Sequence, residues 1–300
     1  MAVMDFGIAF ANTLQFTERD GLETLARSAE AAGFDSVWTV EHVIYPDGYE
    51  SEYPYDRSGK MAADASSPIP DPLIWLSFVA AATTTMRLGT GILILPQRNP
   101  LVLAKEVATL DRLSGGRVEL GVGVGWLREE FDALGVPFER RGARTDEYVD
   151  VMRAVWAADH VDFDGEFTSF SGVSVNPKPA GSSVPITIGG HSAAAARRAG
   201  RLGDGFFPAK GNIVELIDIM RQTAADAGRD PSAITVSTGS AGVFGDDPAA
   251  AVQELASQGV DRVIVQPGDA GGALLDPATR AVYAVASSSV AVTACRSRQP

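Results

Sequence analysis

Apolar positions along the chain alternate between two periods. Short runs in which they recur at every second residue, or continue unbroken, give way to longer runs in which they recur every three to four. The first pattern predicts strands and the second amphipathic helices. Strands are expected at Val3–Ala11, Ser36–His42 (SVWTVEH), Arg87–Leu95 (RLGTGILIL), Arg117–Trp126 (RVELGVGVGW), Val184–Gly189 (VPITIG), Gly205–Pro208, Ile234–Ser240 and Arg262–Gln266. Helices are expected at Asp20–Ala32, Asp71–Thr84, Pro100–Leu113, Ser192–Leu202, Ile213–Ala227 and Pro248–Ser257. Leu22, Leu25, Ala26 and Ala29 carry the helical spacing of the first, and Gly33 stops it. Gly115 and Gly116 stop the third.

Two stretches break this rhythm. Residues 127–183 form an insertion with two helical segments, the second at about Arg144–Ala158, followed by a hairpin. The hairpin pairs HVDFDG with EFTSF and GVSVNP, turning near Asp164–Gly165 and Ser171–Gly172. Residues 43–70 form a loop that is long for a compact domain and contains Tyr45, Tyr49, Tyr53 and Tyr55. Such a loop serves as a lid or substrate wall, with Tyr45 and Tyr49 as candidate substrate contacts, or is a plain surface insertion.

Eight strands with intervening helices imply a parallel sheet, closed into a barrel more readily than left open and doubly wound. The expected architecture is an α/β (β/α)8 TIM barrel, one domain over residues 1–300, with an insertion between strands four and five. The last segment, AVYAVASSSVAVTACRSRQP, is rich in Val, Ser and Thr and is a poor helix former.

Composition narrows the class of partner. The 25 basic and 38 acidic residues give a net charge of −13, which argues against nucleic acid or an anionic membrane as the partner. An anionic cofactor bound by a local cluster of donors stays compatible with it. Cys295 is the one cysteine, so no internal disulfide forms, as suits a reducing cytosol. No apolar run approaches the roughly 20 residues of a membrane helix, and the first residues lack a signal-peptide pattern. A cytoplasmic protein is expected.

Active sites of such barrels lie at the C-terminal ends of the strands. Strand two ends in Glu41–His42, and His42 is a candidate for proton transfer near neutral pH. Strand four carries Gly121, Gly123 and Gly125 at alternate positions, and strand three carries Gly89 and Gly91. Period two turns these glycines into the barrel, leaving room for a flat ring system near the mouth or for tight core packing. Strand five ends in Gly189–Gly190–His191–Ser192 ahead of a helix, where backbone N–H groups can meet an anion, with Ser192 serving as N-cap. Lys210 follows strand six, as a phosphate contact or a solvated loop lysine. The histidines form no metal-binding pattern, and there is no nucleophile elbow, Walker loop or complete dinucleotide fingerprint.

Taken together, AEAAGFDSVWTVEH, RLGTGILILPQRNPLVLAKEVATLDRLSGGRVELGVGVGW, FDGEFTSFSGVSVNPKP and VPITIGGHSAAAARRAGRLGDGFFP resemble the bacterial luciferase-like superfamily. Within it they are most similar to the actinobacterial enzymes that use the deazaflavin coenzyme F420. The resemblance implies that His42 lies beside the reactive carbon of the deazaflavin. It implies that Gly91–Ile92 supports the ring from behind, often through a non-proline cis peptide. Gly123, Val124, Gly125 and Trp126 would flank the ring, Gly189, Gly190 and His191 would bind the phosphate-bearing tail, and Lys210 would pair with its phosphate. The sugar-phosphate dehydrogenases of the family carry a glutamate where this chain has Trp126. The implied activity is hydride transfer between F420 and a small organic substrate. An FMN-dependent monooxygenase and a non-catalytic flavin-binding barrel are the alternatives. The resemblance also implies a homodimer formed through the helices beside strands two and three. PLIWLSFVAAATTT at 71–84, apolar nearly all round, fits a helix buried on two sides.

Overall fold

The structure, a computed structural model, describes residues 4–266 apart from Ala241. The expectation of a poor terminal helix concerns residues outside that range. In chain order the elements are β1 (Asp5–Ile8), α1 (Arg19–Ala32), β2 (Ser36–Thr39), α2 (Pro72–Ala82), β3 (Arg87–Thr90), β4 (Leu93–Ile94) and α3 (Pro100–Ser114). They continue with β5 (Val118–Gly123), α4 (Arg128–Ala133), α5 (Arg141–Ala157), β6 (Val161–Asp164), β7 (Ser169–Val173), β8 (Ile186–Gly189) and α6 (Ala193–Leu202). The last are β9 (Gly205–Phe207), α7 (Ile213–Asp226), β10 (Thr235–Gly239), α8 (Pro248–Ser257) and β11 (Arg262–Val265).

Local chemistry sets the helix ends. Gly33 (φ +86°) and Gly115 (φ +77°) close α1 and α3 in the left-handed region, where a side chain is disfavoured. Asp71 and Asn99 cap α2 and α3, and in both a proline opens the first turn.

The barrel strands pair in parallel in the order β3-β2-β1-β11-β10-β9-β8-β5, and β3 pairs with β5 to close the ring. β4 continues β3 beyond a break at the Gly91–Ile92 bond, which is cis. The expected (β/α)8 barrel is therefore formed, with α4, α5 and the β6–β7 hairpin inserted between the fourth and fifth barrel positions. No helix among the described residues is long and apolar enough to cross a membrane.

One face of each strand packs under the helices. Val118, Leu120 and Val122 of β5 are buried in one cluster with Leu103, Ala104 and Val107 of α3. The other face lines the interior, and Trp38 fills much of it. An added Cβ would come within 2.5 Å of the indole at Gly89 and within 2.8 Å at Gly7, and at Gly121 it would meet both the indole and the Thr90 carbonyl oxygen. The Trp38 ring also meets Phe207 edge-on at 5.8 Å, so it touches strands all round the barrel. Towards the N-terminal ends of the strands the interior is polar. Arg262 donates to both oxygens of Glu119 at 3.1 and 3.0 Å, and Thr187 Oγ1 donates to Glu119 at 2.7 Å.

Several expected boundaries change. Strand two stops at Thr39, so Glu41 and His42 lie in the loop beyond it; strand four stops at Gly123, placing Val124, Gly125 and Trp126 in the loop. The hairpin has one turn, not two. Gly165 N donates to Thr168 O at 2.9 Å in that turn, whereas Ser171 and Gly172 lie inside β7. There Asp162 Oδ1 accepts from Ser171 Oγ (2.5 Å) and Gly172 N (2.7 Å), beside a register shift. Room left by Gly89 and Gly121 is taken by Trp38, so core packing explains those two glycines.

Candidate active site

At the mouth of the barrel, Glu41 ties the end of β2 to the far half of the third strand position. Its buried carboxylate accepts from Ile94 N at 2.6 Å and Arg98 Nε at 3.1 Å. Arg98 Nη2 bonds the same carboxylate and donates to Asp71 at 3.0 Å, at the start of α2. This anchor sets the direction of the chain as it leaves β2 and so places His42.

His42 Nδ1 lies 3.1 Å from Oε2 of Glu130, a residue of α4 with no exposed surface. The other oxygen of Glu130 accepts from Val43 N at 2.6 Å and from Ile44 N at 3.4 Å. Trp126 packs edge-on against the imidazole at 5.9 Å.

Ile92 forms an apolar shelf at the mouth. Its side chain sits on two glycines: a Cβ at Gly123 would lie 2.5 Å from Ile92 Cδ1, and one at Gly189 would overlap Cγ2. Gly123 and Gly189 therefore form the seat of Ile92. Gly125 has φ +78°, and a Cβ there would lie 2.7 Å from the Phe131 ring, so it serves packing onto α4.

The loop over residues 43–70 packs aromatic rings on Trp126 and His191. Tyr49 is buried and lies 5.6 Å from Trp126, Tyr53 lies 5.2 Å from it, and Tyr45 meets Tyr49 at 5.8 Å. Tyr55 packs on His191 at 5.1 Å, and Lys210 Nζ donates to Pro54 O. The loop thus reaches from His42 to the end of β8. Tyr45 and Tyr49 lie in its first arm, and Tyr49 OH accepts from Met61 N at 2.9 Å. Glu129, next to Glu130 on α4, holds the loop's middle: it accepts from Glu50 N (2.7 Å), Ser51 N (3.1 Å) and Ser51 Oγ (2.7 Å). Burial works to raise the Glu129 carboxyl, but these donors outweigh it and hold the group down at about 2.

At the end of β8, Gly190 (φ +131°) donates to Phe207 O at 3.1 Å. His191 Nδ1 is buried without a hydrogen-bond partner among the described residues. Burial, and after it the Lys210 ammonium, push this imidazole below its ordinary range, so it is neutral at pH 7. No group of three His, Cys, Asp or Glu side chains among the described residues is placed to hold a metal ion.

The structure thus brings His42, Trp126, Tyr45, Tyr49, Ile92, His191 and Lys210 to one end of the barrel, with Gly123, Gly189 and Gly190 beneath. Glu129 and Glu130 escaped sequence reasoning. Their trace is an acidic pair one turn into the insertion, a pattern common on solvated helices.

The family model of the luciferase-like monooxygenases matches residues 4–287 of the chain. The chain belongs to this family. An uncharacterised protein of Mycobacterium tuberculosis is 36% identical over 192 residues, covering 64% of this chain and 66% of that protein. The F420-dependent glucose-6-phosphate dehydrogenase of Nocardia farcinica is 36% identical over 234 residues, covering 75% of this chain and 64% of the relative. The match therefore spans just under two thirds of the length of these relatives. Among solved structures, a monooxygenase of Streptomyces bottropensis is 25% identical with a TM-score of 0.68, covering 88% of this chain and 92% of that one. An F420-dependent secondary alcohol dehydrogenase, solved with an F420–acetone adduct, shares the fold with a TM-score of 0.71 at 20% identity, covering 89% of this chain and 93% of that one.

Proposed function

We infer that the chain is an oxidoreductase that binds coenzyme F420 in the barrel mouth and passes hydride between it and a small organic substrate. The observation that carries this reading is the seating of Ile92 on Gly123 and Gly189 at the strand ends, in a mouth that also holds the half-buried, oriented His42. The relatives of Nocardia farcinica and Mycolicibacterium smegmatis, both F420-dependent dehydrogenases at 36% identity, support the choice of cofactor.

The residues present fit such a group. Ile92 offers an apolar face to a planar ring, the Nδ1 of His191, without a hydrogen-bond partner among the described residues, suits a polar tail, and Lys210 supplies a cation. The deazaflavin, when bound, supplies a ring carbon that takes or gives hydride. His42 then holds the proton that an alcohol–carbonyl interconversion must gain or release. Trp126, Tyr49 and Tyr53 exclude water and wall the substrate. With Trp126 standing where the sugar-phosphate dehydrogenases carry a glutamate, acid–base work at this end falls to His42.

The FMN-dependent monooxygenase is the second reading, favoured by the likeness to the Streptomyces enzyme. It requires a reductase and consumes oxygen; the F420 reading turns over without oxygen. A non-catalytic flavin-binding barrel has no use for a buried carboxylate holding His42. His42→Ala separates enzyme from binder: we expect cofactor binding to persist and turnover to fall by roughly 10²-fold or more. Equal turnover in the variant would reject an active role for His42.

A homodimer in the cytoplasm completes the proposal. On α2, Ile74 and Phe78 are 65% and 49% exposed, and Val102 on α3 is 56% exposed. Together they make an apolar face that a second copy would cover.

A further inference from the structure

We propose that Glu130 is a positioning residue that fixes His42 in the Nδ1–H tautomer and so reserves Nε2 as the ring nitrogen that exchanges a proton with the substrate. Its role in turnover rests on the functional reading above; its effect on the ring does not.

Glu130 is fully buried, and among the described residues no Lys or Arg pairs with it. A buried carboxylate stays charged only where donors surround it. Here two backbone donors converge on Oε1, Val43 N and Ile44 N at 2.6 and 3.4 Å, while His42 Nδ1 lies 3.1 Å from Oε2. The two backbone donors belong to the residues directly after His42. They orient the carboxylate whatever the state of the ring, and they leave one oxygen for the imidazole. An ionised carboxylate only accepts, so Nδ1 must carry hydrogen. Neutral His42 then has its lone pair on Nε2, for which the described residues offer no partner, on a side chain 13% exposed. Trp126 braces the ring edge-on. The other charged groups beside His42, namely Glu41, Asp71 and Arg98, pair with one another and compete for neither nitrogen.

Replacing the carboxylate by a carboxamide makes a sharp test. In Glu130→Gln one oxygen faces two sets of donors. The shorter contact, from Val43 N, claims it, and the amide NH2 turns to Nδ1. The ring must then accept there and move its hydrogen to Nε2.

The experiment is long-range 1H–15N correlation NMR of the full chain, above the pH at which the ring signals stop titrating. The chain has three histidines, and a His42→Gln variant assigns the signal. We expect Nδ1–H for His42 in the native protein and Nε2–H in Glu130→Gln, with the signals of His160 and His191 unmoved. Nε2–H in the native protein overturns the proposal, and so does Nδ1–H retained in the variant. Should the variant fail to fold, the native spectrum decides alone. Turnover with F420 is measured beside it: kcat is expected to fall roughly tenfold to hundredfold with cofactor affinity unchanged. A tautomer switch without a change in turnover leaves the positioning of His42 standing and sinks the role given to it in the reaction.

Discussion

The side chain of Ile92 occupies space that only glycine leaves open on β5 and β8, since a Cβ at Gly123 would approach its Cδ1 to 2.5 Å and one at Gly189 would overlap its Cγ2. Gly189→Ala therefore has to push Ile92 off its seat. We expect a loss of about 1–3 kcal/mol in stability, typical of overpacking, measured by denaturant unfolding. Cofactor binding should weaken along with it; an unchanged affinity would show that Ile92 is not part of the ring surface. The residue scale is also where sequence and structure part most. Glycines at alternate positions were legible as a smooth interior face, and the face is there. Its occupant at Gly89 and Gly121 is Trp38, a side chain from a different strand, because contact across a barrel joins residues far apart in the chain. His42 and Trp126 were legible as residues of the barrel mouth, although both stand in the loops beyond their strands. Glu130 was not, since its meaning depends on α4 folding back over the first residues of the loop.

Two adjacent carboxylates make α4 the clamp of the loop over residues 43–70. Glu130 holds Val43 and Ile44, while Glu129 holds Glu50 and Ser51. The Glu129 carboxyl is depressed from its ordinary 4.5 to about 2. A depressed acid contributes stability that is present above 4.5 and is lost as the pH falls towards 2. Amide protection at Glu50 and Ser51, corrected for intrinsic exchange, is therefore expected to stay level from pH 7 to pH 5 and to drop below about pH 4.5. Glu129→Gln should begin with lower protection and lack that step; a native loop whose protection ignores this range would contradict the clamp. Elements themselves were legible wherever periodicity was sustained, as in α8, whose predicted and observed limits coincide at Pro248–Ser257. They were misjudged where a local side-chain bond mimics a turn, as Asp162 does at Ser171–Gly172 within β7. Strand ends were overextended because apolar alternation continues past the last ladder bond into the loops that build the mouth.

For the whole molecule, closure of the barrel was readable from eight strands with intervening helices, because each short strand is useless without a crossover helix to cover it. The proposed homodimer would use the apolar helix α2, and such a helix can be buried by its own chain or by another. Ile74 and Phe78 lie one turn apart on the outer face of α2, and both are exposed at 65% and 49%. Light scattering at micromolar concentration is expected to report a dimer, and the double variant Ile74→Asp, Phe78→Asp a monomer that keeps its fold. A native monomer would reject the interface.

Use of F420 as cofactor is checked by a fluorescence titration of the purified protein with F420 and, separately, with FMN. Tight F420 binding with weak FMN binding is the expected result, and Gly189→Ala should weaken it. Preference for FMN, or binding of neither, would rule out F420 as the cofactor.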